Sequence, residues 1–221
     1  MESEFIITID GPAGSGKSTI AKRLAEKIGF IYLDTGAMYR SVAYLSLKND
    51  IDPVEVAETL DFEIISDKGK NQFIANGKDV TNYIRTHKID EKVSKISSIR
   101  DVRKHLVKIQ RKFAESRRVV IEGRDTGTVV FPNADVKIYL DASIEVRAKR
   151  RYKQKNEKKI NQDSISLENI KNKIKKRDKS DKNREWGALK KPKDAYVIDT
   201  TTLSKKEVLK EILSYLEEYE Y

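Results

Sequence analysis

The sequence predicts an α/β fold in which helices cover both faces of a central parallel sheet. Four short apolar runs have the composition of strands that are buried on both faces: residues 5–9, 119–121, 136–140 and 195–198. Segments with apolar residues at helical spacing lie between these runs. Strands that alternate with helices are typical of a parallel sheet with helices on both sides, so the chain is predicted to be an α/β domain.

The first predicted helix follows a glycine-rich turn, and Gly29 is its C-terminal stop. Its apolar residues recur at every fourth position: Ile20, Leu24 and Ile28. Pro53 marks the start of a later helix, because proline is favoured at the first helical position. Between these two helices we predict a second strand and a second helix, at residues 31–33 and at about 37–47.

The pattern changes after residue 60. Three short strand-like segments follow, separated by polar turns: residues 62–65, 72–74 and 78–80. The pair Asn76-Gly77 in the second turn is a strong hairpin signal, so a small antiparallel sheet is predicted to be inserted here. A long helix then carries apolar residues on one face: Val102, Leu106, Ile109 and Phe113. The last helix opens at Ser204 with a capping box to Glu207.

Composition excludes several classes of protein. The 221 residues contain no cysteine, which excludes a disulfide framework, thiolate metal sites and a cysteine nucleophile. No signal peptide is visible, and no apolar run approaches the roughly 18 residues of a membrane span. We therefore expect a cytoplasmic location and no membrane partner.

Positive charge is concentrated in one part of the chain. The net charge is +10, and residues 147–193 contain 19 Lys and Arg against 6 Asp and Glu. Such a block either binds an anion or forms a solvated face, and nucleic acid and nucleoside phosphates are the two obvious anionic partners.

The glycine-rich turn matches the phosphate-binding pattern G-x-x-x-x-G-K-[ST] over residues 11–18, after a strand and before a helix. Backbone amides of such a loop form an anion nest, Lys17 reaches the β- and γ-phosphates, and Ser18 offers its hydroxyl to Mg²⁺. ATP and Mg²⁺ are therefore the expected donor and cofactor. The predicted donor site consists of Gly11, Pro12, Ala13, Gly14, Ser15, Gly16, Lys17, Ser18 and Thr19.

The expected fold class is accordingly the three-layer fold of P-loop NTPases, with a small inserted antiparallel sheet and a helical lid. A GTPase is disfavoured, because the sequence contains no Asn-Lys-x-Asp motif that would read guanine.

Two further polar segments follow predicted strands, where ligands bind in open α/β sheets. Arg40 lies after the second strand and can hold a phosphate in bidentate fashion. Arg124 and Asp125 follow the strand at 119–121 and are candidates to read a base or a phosphate. Glu122 is either an outer-shell Mg²⁺ ligand or a structural hydrogen-bond acceptor, and the sequence leaves both interpretations open.

A third candidate region lies in the basic block. Five residues fall on one helical stripe, provided that the helix extends that far: Ile170, Ile174, Arg177, Asp181 and Arg184. The stripe changes from apolar to charged at Arg177, which favours a lid that closes over anions. The alternative is a solvated Lys/Arg surface.

Taken together, residues 7–17, 34–40 and 123–132 resemble the bacterial cytidylate kinases, and the resemblance extends over nearly the whole chain. It implies transfer of the γ-phosphoryl group of ATP to CMP or dCMP. Two departures are Glu122, where the family often has Asp, and Lys179-Ser180 in the lid, where it tends to carry acidic and arginine residues.

The resemblance also implies roles for individual residues. Ser94, Arg103 and Asp125 would read the cytosine. Thr35, Tyr39 and Arg40 would line the acceptor site. The phosphate of the acceptor would be held by Arg40, Arg124 and Arg184. The sugar hydroxyls would be approached by Arg177 and Asp181. The residues assigned to catalysis are Lys17, Arg124, Arg177 and Arg184.

We expect one kinase domain over residues 1–221. Its core comprises about 1–60, 99–150 and 194–221, its monophosphate-binding insert about 61–98, and its lid about 151–193. The expected partners are small molecules, with no nucleic acid, and the expected state is a monomer. Two alternatives remain, namely a P-loop kinase with a uridylate, thymidylate or shikimate acceptor, and a nucleic-acid-binding module.

Overall fold

A computed structural model of the chain describes residues 4–67, 70–157 and 166–221. Within these residues the strands are β1 (Phe5–Asp10), β2 (Ile31–Asp34), β3 (Phe62–Asp67), β4 (Lys70–Ala75), β5 (Lys78–Asp79), β6 (Arg118–Glu122), β7 (Val136–Asp141) and β8 (Tyr196–Asp199). The helices are α1 (Lys17–Ile28), α2 (Thr35–Asn49), α3 (Pro53–Glu58), α4 (His87–Ile96), α5 (Arg100–Ala114), α6 (Ile144–Glu157), α7 (Leu167–Lys182) and α8 (Lys205–Leu216).

Five strands form the central sheet in the order β2-β6-β1-β7-β8, and every pairing within it is parallel. Successive residues of β1 point to opposite faces, as a strand requires. Ile7 and Ile9 face one apolar cluster with α1 and α8, whereas Ile6 faces a second cluster that includes α2, α3 and α5. The predicted α/β fold is therefore confirmed.

Local sequence signals set several of the helix boundaries. Helix α1 ends at Gly29, which has a φ of 74° and donates its backbone N–H to Ala25 O. The capping box of α8 is present as predicted, since Ser204 and Glu207 exchange hydrogen bonds. Helix α2 begins at Thr35, two residues earlier than predicted, because the Asp34 side chain accepts from the N–H of Ala37.

Strands β3, β4 and β5 form the small antiparallel sheet that the sequence predicts. Asn76 and Gly77 in its second turn both have positive φ, 49° and 71°, as a tight hairpin turn requires. Helix α4 follows this sheet and was not predicted. It buries Ile89, Val93 and Ile96 in the cluster that also contains α2.

Helices α6 and α7 pack against each other through a small separate cluster of Ala148, Ile170 and Ile174. The predicted helical stripe continues as far as Asp181, which is fully buried. Helix α7 ends at Lys182, so Arg184 lies just beyond it and not on it. Residues 158–165 of the predicted lid lie outside the described residues.

The carboxyl ends of β1, β2 and β6 meet at one edge of the sheet. A single π-helical turn at Thr126–Val130 follows β6. Asp10 at the end of β1 fixes this turn, because it accepts hydrogen bonds from Thr126 N, Thr126 Oγ1 and Gly127 N at 3.0, 2.8 and 2.7 Å. No helix in the described ranges has both the length and the apolar character needed to cross a membrane.

Candidate active site

A cleft of about 1460 Å³ opens at this edge of the sheet. It brings together residues that the sequence predicted from separate segments. The predicted site residues that line it are Ala13, Gly14, Ser15, Gly16, Lys17, Ser18, Thr19, Thr35, Tyr39, Arg40, Ser94, Arg103, Arg124, Asp125, Arg177, Asp181 and Arg184. Gly11 and Pro12, at the start of the loop, are not among the lining residues.

The loop after β1 passes close to β7 and lines the cleft from Ala13 to Thr19. A Cβ on Gly11 would lie 2.0 Å from the carbonyl oxygen of Leu140, so the close approach of the loop to β7 requires glycine. Arg147 holds the loop from behind, donating to Ala13 O at 3.1 Å and to Asp178 at 2.5 Å. The Arg147–Asp178 pair joins α6 to α7 across 31 residues, and no local motif indicates it.

Lys17 is buried at the start of α1, and its Nζ donates to Pro12 O at 2.8 Å. Burial lowers the pKa of Lys17 to about 7, and the Arg124 guanidinium adds to this effect, although Glu122 and Asp10 oppose it. A phosphate anion beside Nζ would favour the charged ammonium, since an opposite charge within a few ångströms stabilises it. Binding of an anion would therefore raise the pKa of Lys17 and stabilise its charged form.

Oxygen ligands gather next to the loop. Ser18 Oγ donates to Glu122 Oε1 at 2.6 Å, and Glu122 is paired in register with Asp34 across β6 and β2. Burial and the Asp34 carboxylate raise the pKa of Glu122 to about 6. Thr35 Oγ1 donates to the backbone oxygen of Glu122 at 2.7 Å and thereby fixes the turn from β2 into α2.

This oxygen set fits a hard divalent cation such as Mg²⁺, which binds one or two carboxylates and takes its other ligands from water and phosphate. Among the described residues no group of three or more His, Cys, Asp or Glu side chains is arranged to hold a metal by itself. A site that needs the donor's phosphates to complete the metal shell is consistent with both observations.

Arginines surround one buried carboxylate in the middle of the cleft. Asp181 accepts from Arg124 Nε at 2.9 Å and from Arg184 Nη2 at 2.5 Å, and Arg177 Nε lies 4.0 Å away. Burial, together with Arg124 and Arg40, lowers the pKa of Arg177 to about 9. The cluster carries more positive than negative charge, which favours an anionic ligand.

Unused donors in this cluster point to the same conclusion. Among the residues that the structure describes, the Nε atoms of Arg177 and Arg184 are buried and have no hydrogen-bond partner. Buried donors of this kind are costly unless a ligand or water satisfies them.

A second carboxylate links three parts of the chain. Asp90 on α4 pairs with Arg40 of α2 at 3.1 Å and with Arg151 of α6 at 2.7 Å. Although burial alone would raise it, the two arginines hold the pKa of Asp90 below its ordinary value. Asp90 lies in no recognisable motif, and its pairing with Arg151 joins residues that are 61 positions apart.

Arg103 and Asp125 form a buried ion pair at the far end of the cleft. Arg103 also donates to Ser97 O at 3.1 Å, and Arg184 donates to Ser97 Oγ at 2.8 Å. The half-buried Ser94 lies one helical turn before Ser97 and lines the cleft. Sequence reasoning missed Ser97, which connects the charged cluster with the Arg103–Asp125 pair.

The arrangement has two compartments. One part of the cleft offers a phosphate-binding loop with oxygen ligands for a metal. Another part offers the Arg103–Asp125 ion pair beside several arginines. Such a cleft can hold two anionic ligands with their phosphates facing each other.

Comparison with known proteins agrees with this geometry. A sequence model of the cytidylate kinase family matches residues 7–218. A cytidylate kinase from Bacillus subtilis is 46% identical over 224 residues, which cover 99% of each chain. Cytidylate kinases from Thermosipho melanesiensis and Protochlamydia amoebophila are each 47% identical over 96% of both chains.

Solved structures show a likeness in fold. A gluconokinase from Sinorhizobium meliloti superimposes with a TM-score of 0.53 at 13% identity, covering 99% of this chain and 94% of that one. An uncharacterized protein from Eubacterium ventriosum gives a TM-score of 0.55 at 16% identity, covering 97% and 99%. Because the family match and the relatives span nearly the full length, the chain belongs to the cytidylate kinase family, as the sequence motifs predicted.

Proposed function

We propose that this chain transfers the γ-phosphoryl group of ATP to CMP and dCMP, giving ADP with CDP or dCDP. The observation that carries the proposal is the shared cleft, in which the phosphate-binding loop faces an arginine cluster and a buried Arg–Asp pair. As a member of its family the chain is a nucleoside monophosphate kinase in pyrimidine nucleotide metabolism, with nucleotides as its substrates.

The donor occupies the loop end of the cleft. Residues 11–19 surround the phosphates of ATP with backbone amides, and Lys17 follows the γ-phosphoryl group as it moves. Kinases of this kind use a divalent metal with ATP, and Mg²⁺ is the ion that we propose here. Ser18 would hold it, with Glu122 accepting from Ser18 or from the water around the ion.

The bound ion would supply electrostatic stabilisation of charge on the phosphate oxygens. The residues of this chain contribute to catalysis by positioning two polyanions and excluding water from them.

The acceptor phosphate lies among the arginines. Arg40, Arg124 and Arg184 are proposed to hold it, with Arg177 and Asp181 towards the sugar hydroxyls. The Nε atoms of Arg177 and Arg184 are buried without a hydrogen-bond partner, which supports a role in binding an anion. Thr35 and Tyr39 line the same compartment.

The base is read at the other end of this compartment. Cytosine offers an amino group at position 4 and acceptors at N3 and O2. Asp125 can accept from the amino group, and Arg103 can donate to the ring acceptors, with Ser94 completing the set. Uracil reverses both edge positions, so its O4 would face the Asp125 carboxylate and its N3–H would face Arg103, and Asp125 would receive no hydrogen bond from the base.

The reaction needs no general base, because the attacking group is already an anion. An oxygen of the acceptor phosphate forms a bond to the γ-phosphorus, while the bond from that phosphorus to the β–γ bridging oxygen breaks and ADP leaves. Lys17, Arg124, Arg177 and Arg184 surround the space between the two compartments and are proposed to neutralise charge in the transition state.

The proposed division into a core, an insert at about 61–98 and a lid at about 151–193 follows from this scheme. The lid would close when both nucleotides are bound and would keep water from the γ-phosphoryl group. A monomer in the cytoplasm, without nucleic-acid or membrane partners, completes the proposal. Size-exclusion chromatography with light scattering tests the monomer.

A coupled assay of ADP release across all nucleoside monophosphates tests the proposed function. We expect CMP and dCMP to give the highest kcat/KM, and we expect release to require a divalent metal. Faster turnover with UMP, dTMP or shikimate would contradict the proposal, and so would ADP release that is independent of any acceptor.

A further inference from the structure

The chain returns from α7 to the sheet across the start of α5. We call residues 184–189 the return segment. It is anchored at both ends, since Arg184 donates to Ser97 Oγ at 2.8 Å and the N–H of Leu189 donates to Asp181 O at 2.8 Å. Between these anchors lie Trp186 and Gly187, which have no role in the site described above.

Trp186 lies beside the guanidinium group of Arg103. The Arg103 Cζ atom is 5.7 Å from the centre of the Trp186 ring and 5.3 Å from that of the Tyr39 ring. Both distances are within the range of cation–π attraction. Trp186 is also partly buried against the larger apolar cluster, which restrains its ring.

Gly187 approaches the same pair more closely than any side chain would allow. A Cβ at this position would lie 2.2 Å from Arg103 Nη2 and 2.5 Å from Asp125 Oδ2. The arginine has little room to yield, because it is 1% exposed and its Nη1 donates to Ser97 O. A side chain at position 187 would therefore separate Arg103 from Asp125.

We propose that Trp186 and Gly187 are positioning residues that set the base specificity of the acceptor site. They hold Arg103 against Asp125, so that the ion pair that reads the base forms only when the return segment occupies the position described above. The inference rests on the proposed function, in which this pair reads cytosine. Neither residue has to touch the nucleotide, and both follow directly after the helix that belongs to the proposed lid.

Gly187→Ala tests the inference against a matched control. Gly187 and Gly77 both have a φ of +71°, so alanine meets the same backbone strain at either position. A Cβ on Gly77 has no atom within 4 Å, whereas a Cβ on Gly187 meets Arg103 and Asp125. We expect Gly187→Ala to reduce the ratio of kcat/KM for CMP to that for UMP about tenfold or more, mainly through KM for CMP. Gly77→Ala should leave the ratio at the wild-type value.

Trp186→Leu and Trp186→Phe give a second test that does not depend on backbone strain. Leucine removes the aromatic face and should lower the ratio of kcat/KM for CMP to that for UMP. Phenylalanine keeps an aromatic face and should retain most of the wild-type ratio. Trp186 is the single tryptophan of the chain, so its fluorescence reports this site alone. We expect CMP to change that fluorescence more than UMP does at equal occupancy.

Asp125→Ala separates failure of the inference from failure of the proposed function. If Asp125→Ala lowers the CMP/UMP ratio of kcat/KM while Gly187→Ala and Trp186→Leu leave it unchanged, the positioning role is wrong and base reading by Asp125 stands. If Asp125→Ala also leaves the ratio unchanged, the pair does not read the base and the inference fails with it. Should Gly187→Ala fail to fold, the Trp186 variants decide.

Discussion

Asp181 accepts a hydrogen bond from Nε of Arg124 at 2.9 Å, a contact between residues that are 57 positions apart. The same carboxylate accepts from Arg184 and is itself fully buried. One negative charge therefore holds together arginines from two separate segments of the cleft.

Asp181→Asn should destabilise the protein markedly. The substitution leaves buried guanidinium groups without their counter-charge, and loss of one partner from a buried ion pair typically costs about 3–5 kcal/mol. Urea unfolding in low salt measures the change, and added CMP or sulfate should restore more stability in the variant than in the wild type. Asp101→Asn, which alters an exposed carboxylate that pairs with the exposed Lys104, is the control and should cost much less. Equal losses in the two variants would contradict the prediction.

Lys17→Ala should nearly abolish transfer and leave the fold intact. The lysine loses a contact that strengthens in the transition state, which commonly lowers kcat by about a hundredfold or more. Steady-state kinetics and circular dichroism of the purified variant measure the two effects. Lys27→Ala removes an exposed charge from the last turn of the same helix and should keep wild-type kcat. A Lys17→Ala enzyme with near-normal turnover would show that the loop does not hold the transferred group.

Asp125→Ala should reduce kcat/KM for CMP and leave that for UMP almost unchanged. Only cytosine presents an amino donor to this carboxylate, and each unpaired buried group costs about 1–3 kcal/mol. Kinetics with both acceptors measure the ratio. The exposed Asp101→Ala on α5 serves as the control, and its ratio should match that of the wild type.

Asp10 should make the free energy of unfolding depend on pH between about 4 and 6. Burial raises the pKa of Asp10 to about 6, although hydrogen bonds from Gly127 and Thr126 oppose the shift. A raised pKa means that the folded protein keeps a proton which the unfolded chain has already lost. The resulting stabilisation is complete below the pKa of the unfolded chain and is lost as pH rises through about 6.

Asp10→Asn removes the titration and provides the test. The free energy of unfolding of the variant, minus that of the wild type, should rise by about 2 kcal/mol between pH 4 and pH 6. Urea unfolding of both proteins across this range measures the difference. A difference that stays constant with pH would show that the carboxyl group does not titrate there.

Much of the fold was predictable because its signals are local. Gly29 ends α1 through its own left-handed conformation, and Ser204 and Glu207 cap α8 through contacts three residues apart. Asn76-Gly77 determines its hairpin turn in the same way. The phosphate-binding loop was recognisable because its glycines and lysine are consecutive in the chain.

The features that were missed depend on long-range contacts. Helix α4 begins at His87 after Thr86, and the residue three positions after Thr86 is Ile89 and not Glu or Gln, so the sequence contains no capping box there. Ser97 acquires its importance only when α7 brings Arg184 to it from 87 residues away. Trp186 packs against the larger apolar cluster, but its proximity to Arg103 follows only from the folded chain.

Asp90 has a single carboxylate, and Arg40 and Arg151 each use one of its oxygen atoms. Helix α4 cannot move away from α6 without giving up Arg151, nor from α2 without giving up Arg40. Opening the contact of α4 with α2 or with α6 would therefore free a guanidinium group for a counter-ion from solution. Closing the contact again would displace that ion. The ionic composition of the buffer, and not its ionic strength alone, would therefore affect how easily these contacts open.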